Sequence, residues 1–292
     1  MVVRFPRTFK VLVPLLILVG AAVAGAVREH FPAPETTVPR AVVLDIGQGD
    51  AILLDGPGDD AEVLIDGGPD ATTMLGKLRE HLGSDTSLNL VVLTHPHADH
   101  VAGLVAVLEH YDVERVLLTG AVHTTQTYRA FLERIDTQAI ATTWAIAGDR
   151  LVVGPFDLDV LAPAASFHGM HIESINDSSI VLMAAVGAQR LLLTGDAETD
   201  VQRTLLDRGV DLRADVLKVA HHGAENGAVQ EFLNAVAPRH AIISVGAGND
   251  YGHPHRRALK RLSRTGAQLW RTDEQGDITV MFNEGLQVSA AR

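Results

Sequence analysis

There is no cysteine anywhere in the 292 residues. Disulfides and thiolate metal sites are thereby excluded, and the chain is compatible with either redox compartment. Aromatic side chains are also scarce, at 4% against a hydrophobic share of 47%, and 26 glycines are spread along the chain. That composition suits a globular protein with a substantial core and many tight turns. Positive charge is in deficit. With 24 Lys and Arg against 36 Asp and Glu the net charge is −12, so the whole molecule is not drawn to nucleic acid as a basic domain would be. Low-complexity segments and short-period repeats are absent from the body. What remains plentiful is histidine: 14 of them beside no cysteine direct any metal site towards imidazole and carboxylate ligands.

One long apolar run stands apart. Arg4, Arg7 and Lys10 precede the uncharged Val11–Val27, and Arg28 follows. A basic head before such a run reads as an export signal or a membrane anchor over 1–28, which places the body outside the cytoplasmic membrane. Small residues at Ala22, Ala24 and Ala26 offer cleavage-like sites, so a cleaved and an anchored form both stay open. Residues 29–40, with three prolines in "EHFPAPETTVPR", read as an extended linker.

From residue 41 to 292 the pattern is that of one layered domain. Three β-rich runs (41–46, 50–55, 62–66) are split by Gly- and Asp-rich turns, and then strands alternate with helices. Near Leu151 the order begins again, running through "FDLDVLAP", "SSIVLMAAVG", "QRLLLTGD" and "DVLKVAHH" to a closing "DITVMFN". Strands then helices, twice over, predict an α/β (α+β) fold of two sheets face to face with helices outside, an αββα four-layer sandwich.

The chemistry concentrates in "LTHPHADHVAG", where His95, His97, Asp99 and His100 follow the apolar "LNLVVL". Such groups are costly to bury unpartnered. Alternation along extended chain sends His95 and His97 to one side, and the turn into the next helix brings Asp99 and His100 to a neighbouring point. Two ligand pairs from one loop suit two metal ions close together. More ligands are needed, and other apolar runs stop on suitable groups: Asp66, Asp196, and His221 with His222.

These motifs resemble the metallo-β-lactamase hydrolase fold. The set "LDIGQGDAILL", "LTHPHADHVAGL", "NDSSIVL", "LLLTGD", "LKVAHHG" and "ISVGAGNDYGHPH", in order over about residues 40 to 283, resembles more narrowly the soluble C-terminal domain of the ComEC family of competence DNA-uptake proteins. The resemblance covers only the hydrolase part of that family, here behind a single apolar segment. The resemblance implies that His95 and His97 bind one metal, that Asp99 and His100 bind the second, that Asp196 bridges them and that His221 completes the second set. Asp66 then orients a ligand, and Asn176, Ser179, Lys218 and His222 support ligands or touch substrate. The remaining position on the first ion falls to Asn176, His168 or His171. Ala224 stands where the family pattern tends to place a serine after HHG.

Such a site implies two divalent ions, Zn²⁺ or Mn²⁺, which make hydroxide available near neutral pH and stabilise charge on a phosphodiester. Asp99 and His253 are the catalytic candidates beyond simple ligation, His253 as a group that meets phosphate or protonates the leaving oxygen. Arg256, Arg257, Lys260, Arg261 and Arg264 form a cationic helix face just after His253, fitted to a polyanionic backbone. The expected activity is a metal-dependent phosphodiesterase or nuclease tied to DNA uptake, with single-stranded DNA as a substrate. The expected partners are the membrane, if the leader stays, and a separate DNA channel protein. The alternatives are a hydrolase of another ester or lactam, or a non-catalytic docking component of an uptake complex.

Overall fold

The structure, a computed structural model, describes residues 37–58 and 61–292. The export or anchor segment (1–28) and most of the linker lie outside the described residues; the linker's last residue, Arg40, opens the first strand. The first half runs β1 (Arg40–Val43), β2 (Ile52–Asp55), β3 (Glu62–Ile65), α1 (Ala71–Leu82), β4 (Ser87–Leu88) and β5 (Leu90–Leu93). It continues with α2 (Ala98–His110), β6 (Asp112–Val113), β7 (Arg115–Leu118), α3 (Gln126–Thr137) and β8 (Ala141–Trp144). The second half runs β9 (Arg150–Val153), β10 (Phe156–Ala162), β11 (Val181–Val186), β12 (Gln189–Leu193), α4 (Thr199–Asp207), β13 (Val216–Lys218) and α5 (Gln230–Val236). After it come β14 (His240–Ile243), α6 (Arg256–Ser263), β15 (Gln268–Arg271), α7 (Thr272–Gln275), β16 (Ile278–Met281) and β17 (Gln287–Ala290).

Two large sheets result, an eight-stranded one ordered β17-β16-β1-β2-β3-β5-β7-β8 and a seven-stranded one ordered β15-β14-β13-β12-β11-β10-β9. Period-two alternation explains the layering. Val43, Leu54, Ile65 and Val92 of the first sheet meet Leu158, Leu182, Leu193 and Val216 of the second. The intervening residues Val42, Leu53, Leu64 and Val91 face outward onto Met74, Leu104 and Phe131 of the first helical layer. Met183, Leu192 and Leu217 do the same against Phe232 and Leu262 on the other side. Strands buried on both faces read as continuous apolar runs, and each fully buried Leu or Val contributes roughly 1.5–3 kcal/mol. The αββα sandwich expected from the sequence is the observed fold.

The halves are not fully separate. The closing run "DITVMFN" supplies β16, which returns to the first sheet and pairs antiparallel with β1, Ala41 opposite Val280 and Val43 opposite Ile278. Edge strands β8 and β17 add to the expected set.

The topology gathers a site. In the first sheet β3, β5, β7 and β8 are mutually parallel, and in the second β12, β13, β14 and β15 are. Groups that follow the carboxyl ends of such strands share one edge of the sandwich, where α/β sheets place their ligands. Helix α2 is drawn onto that edge by backbone contact. Gly67 N donates to His100 O at 2.7 Å and Gly103 N to Gly68 O at 3.0 Å. A Cβ on Gly103 would lie 1.9 Å from the Gly67 carbonyl oxygen, so a side chain there would push α2 off the turn.

Candidate functional site

Asp66 follows β3 in the left-handed region, with φ of 58°. Its buried carboxylate accepts from Thr94 N at 2.8 Å and Thr94 Oγ1 at 2.7 Å, and His100 Nδ1 lies 2.8 Å from Oδ2. Because a carboxylate only accepts, His100 Nδ1 is the donor and its Nε2 is turned into the site. His222 is set in the same way. Its Nδ1 lies 3.1 Å from the carbonyl of Ser244, and its Nε2 lies 3.2 Å from Asp99 Oδ2. Asp196 Oδ2 completes the convergence, 3.3 Å from His100 Nε2, 3.6 Å from His222 Nε2 and 3.8 Å from His95 Nε2. Asp99, His100, Asp196 and His222 thus offer ligand atoms all within 4.8 Å of one another. His95 Nε2 and His97 Nδ1 lie 3.1 Å apart beside this group.

The surroundings hold these side chains in place. Buried Lys218 forms an ion pair with buried Asp50 and donates to Gly195 O at 3.3 Å, and Asp50 Oδ1 lies 3.4 Å from His222 Nδ1. Asp196 N donates to Ser179 Oγ at 3.1 Å. Asp66, His221 and His222 all have φ near 50° to 60°, a conformation costly for residues with a Cβ and concentrated at functional sites.

The electrostatics fit a cation. Burial opposes charge on both His100 and His222, but the carboxylates outweigh it. Asp196, Asp66 and Asp99 hold His100 well above the usual imidazole range, and Asp196, Asp50 and Asp99 raise His222 to about 9. Burial is the main cause that lowers His95 and His97, leaving neutral rings with lone pairs to give. Despite burial, His222 and His100 hold Asp196 well below the usual carboxylate range. His100 Nε2 and Asp196 Oδ1 are buried with no hydrogen-bond partner. Unsatisfied donor atoms are costly unless something binds them, and an all-nitrogen-and-oxygen set suits Zn²⁺ or Mn²⁺. The residues fit divalent metal.

Several expected residues take different places. His222, not His221, joins Asp99, His100 and Asp196. Two consecutive left-handed residues turn the chain so that the second ring enters the cluster, while the first stays partly exposed with Nδ1 2.9 Å from Glu198 Oε1 and Nε2 3.9 Å from Asp196. Asn176 donates its amide to the same Glu198 at 2.7 Å, while its Oδ1 is buried with no hydrogen-bond partner. His168 is exposed and stacks on Trp144 at 4.1 Å, and His171 is exposed. The imidazole nearest His97 outside the motif is His123, with ring centroids 5.9 Å apart. Neither Glu198 nor His123 lies in a recognisable pattern; Glu198 sits two residues past Asp196, and only that proximity could have signalled it.

His221 also lines a cleft of about 770 Å³ that opens beside the candidate metal-ligating group, with His253, Tyr251, Arg203, Arg261 and Ala224 in its walls. His253 lies against His221 and His222, with ring centroids 5.4 and 6.3 Å away. Burial, then the charge of those neighbours, lowers it to about 4. The cationic face of α6 is partly spent on the protein. Arg257 pairs with Glu225, and Arg261 donates to the carbonyls of Glu225 at 2.7 Å and Ala228 at 3.2 Å. Arg256, Lys260 and Arg264 stay exposed.

Comparison with known proteins identifies the family and the fold. The sequence profile described as the metallo-beta-lactamase superfamily matches residues 44–247. The chain is similar to "ComE operon protein 3" of Bacillus subtilis (strain 168), 31% identical over 82% of this chain and 32% of that protein. It is also similar to "Competence protein ComA" of Neisseria gonorrhoeae, 28% identical over 93% of this chain and 36% of that protein. The chain thus spans about a third of the length of these curated relatives. Among solved structures, the metallo-beta-lactamase fold protein YhfI from Bacillus subtilis superposes with a TM-score of 0.55 at 14% identity, covering 84% of this chain and all of that one.

Proposed function

This chain belongs to the metallo-beta-lactamase superfamily, and on that premise we propose that it is a metal-dependent phosphodiesterase, a nuclease serving DNA uptake. The observation that carries the reading is the buried group of Asp99, His100, Asp196 and His222, with unpartnered donor atoms, beside a cleft that contains cationic side chains. Asp99, His100 and His222 would hold one ion, His95 and His97 the other, and Asp196 both. Two divalent ions bound there would supply an activated water near neutral pH and neutralise charge on the phosphodiester.

The chain's own residues do the rest. Asp66 fixes the ring of His100, and the Asp50–Lys218 pair and the Ser244 carbonyl fix that of His222. Glu198 ties His221 to Asn176 at the cleft wall. His253 lines the cleft and would hydrogen-bond a phosphate oxygen there. Exposed Arg203 and the partly buried Arg261 line the cleft together with Glu225 and Glu231, and the exposed Arg256, Lys260 and Arg264 would extend its cationic side along α6. The resemblance to competence proteins supports DNA as the substrate. Location outside the cytoplasmic membrane, and cooperation with a separate channel protein, belong to the same proposal.

The test is turnover by purified protein loaded with Mn²⁺ or Zn²⁺, on single-stranded DNA, bis(4-nitrophenyl) phosphate and a β-lactam, with His97→Ala as control. Metal-dependent cleavage of the phosphodiesters alone is expected. Cleavage of the lactam alone would move the assignment to another hydrolase of this fold.

A further inference from the structure

Tyr251 is the most exposed large apolar or aromatic side chain among the described residues, at 72%. Exposure on a free loop would mean little, but this loop is wired. Asn249 Nδ2 donates to Gly246 O at 3.0 Å and His253 O at 2.6 Å, and Asn249 Oδ1 accepts from Tyr251 N at 3.2 Å and His253 N at 3.1 Å. One side chain thus closes both ends of the segment and fixes the backbone of Tyr251. The ring lies nearly parallel to that of His253, 26° between planes with centroids 5.9 Å apart, and both line the cleft that His221 connects to the metal-ligating group. Exposed Arg203 of α4 lines the same cleft and makes no ion pair among the described residues. An aromatic face and a cation on one cleft are the two elements that hold single-stranded nucleic acid, stacking for the base and charge for the phosphate.

We infer that Tyr251 is a stacking platform for an unpaired nucleobase, holding a single strand so that the adjoining phosphodiester lies at the metal-ligating group. The inference rests on the phosphodiesterase reading. It makes Tyr251 a specificity residue: a base must leave its duplex stack to lie on an isolated ring, so the cleft favours strands over duplexes and base-bearing over abasic backbone. The side chain of Tyr251 is 72% exposed and its ring pairs with that of His253, so its removal should leave the fold intact.

The experiment compares oligothymidylate with an abasic deoxyribose-phosphate oligomer of equal length, using the metal-loaded full chain and its Tyr251→Ala and Tyr251→Trp variants. Wild type should favour the base-bearing strand in kcat/KM by roughly 5- to 150-fold, the range that one stacked base contributes. Tyr251→Ala should bring that preference close to one, and Tyr251→Trp should keep it. A Tyr251→Ala protein with undiminished preference overturns the inference. Binding of a strand carrying 2-aminopurine separates this from failure of the activity. Quenching by wild type and not by Tyr251→Ala upholds stacking even if no phosphodiester is cleaved, whereas equal quenching by both proteins refutes it.

Discussion

Replacing Lys218 with methionine tests how the centre is held. Lys218 is fully buried, and its ammonium makes the ion pair with Asp50 that joins the second sheet to the loop after β1. Methionine fills similar volume, so packing loss is small and the effect isolates charge. Asp50 would be left buried among Asp66 and Asp99 without its ammonium partner, with the rings of His222, 3.4 Å away, and His100 as the remaining counter-charges. Breaking a buried pair from one side costs about 3–5 kcal/mol, because the remaining charge is uncompensated. Against a total stability of about 5–15 kcal/mol that is severe, and for a chain of this size it lowers Tm by roughly 6–20 °C. Removing both charges in Asp50→Asn/Lys218→Met should recover most of the loss, since a neutral pair leaves no stranded ion. Urea midpoints of the two variants and wild type in the presence of chelator measure this. A single variant within about 1 kcal/mol of wild type, or a double variant no better than the single, would refute the reasoning.

Other consequences follow from the same geometry. His222→Ala should lose one equivalent of bound metal after dialysis, by elemental analysis, whereas His221→Ala should keep its full complement. Because His222 is raised to about 9 in the metal-free site, metal must displace its proton; affinity should fall as pH falls below 9, by up to about tenfold per unit, with proton release visible by calorimetry in two buffers. Away from the site, Asp277 accepts from Asp45 N at 2.7 Å and pairs with Lys77 and His81, both at 2.9 Å. Despite burial, the hydrogen bonds from His81 and Lys77 lower it to about 2. Its contribution, roughly 2 kcal/mol, is therefore present above its unfolded value near 4 and lost as pH falls to about 2. Asp277→Ala should flatten the acid limb of the stability curve.

Much of this arrangement was legible in the residues, and the unread parts have physical reasons. The run "LNLVVL" ending in "THPHADH" combines a doubly buried strand with ionisable groups, which is why both β5 and the centre stand out. Strands β8 (ATTW) and β17 (QVSA) have no buried face, only partly covered or exposed positions, so periodicity is silent on them. The run "DITVMFN" declares a strand but not its neighbour, because pairing of β16 with β1 across more than 230 residues leaves no local mark. His221 and His222 are equivalent in the sequence. Their left-handed backbone angles decide which ring is inside, and two non-glycine residues in that region are not foreseeable from composition. The cationic strip was visible, but its use was not. Arg257 and Arg261 are bound to the Glu225 segment by contacts 30 and more residues apart.

The most direct measurement combines metal content with turnover in one titration of the metal-free protein. Hydrolysis of bis(4-nitrophenyl) phosphate should be absent at first, rise as about two equivalents of Mn²⁺ or Zn²⁺ bind, and vanish together with metal retention in Asp196→Ala. A fully loaded protein without phosphodiester turnover, or turnover that survives Asp196→Ala, would contradict the assignment.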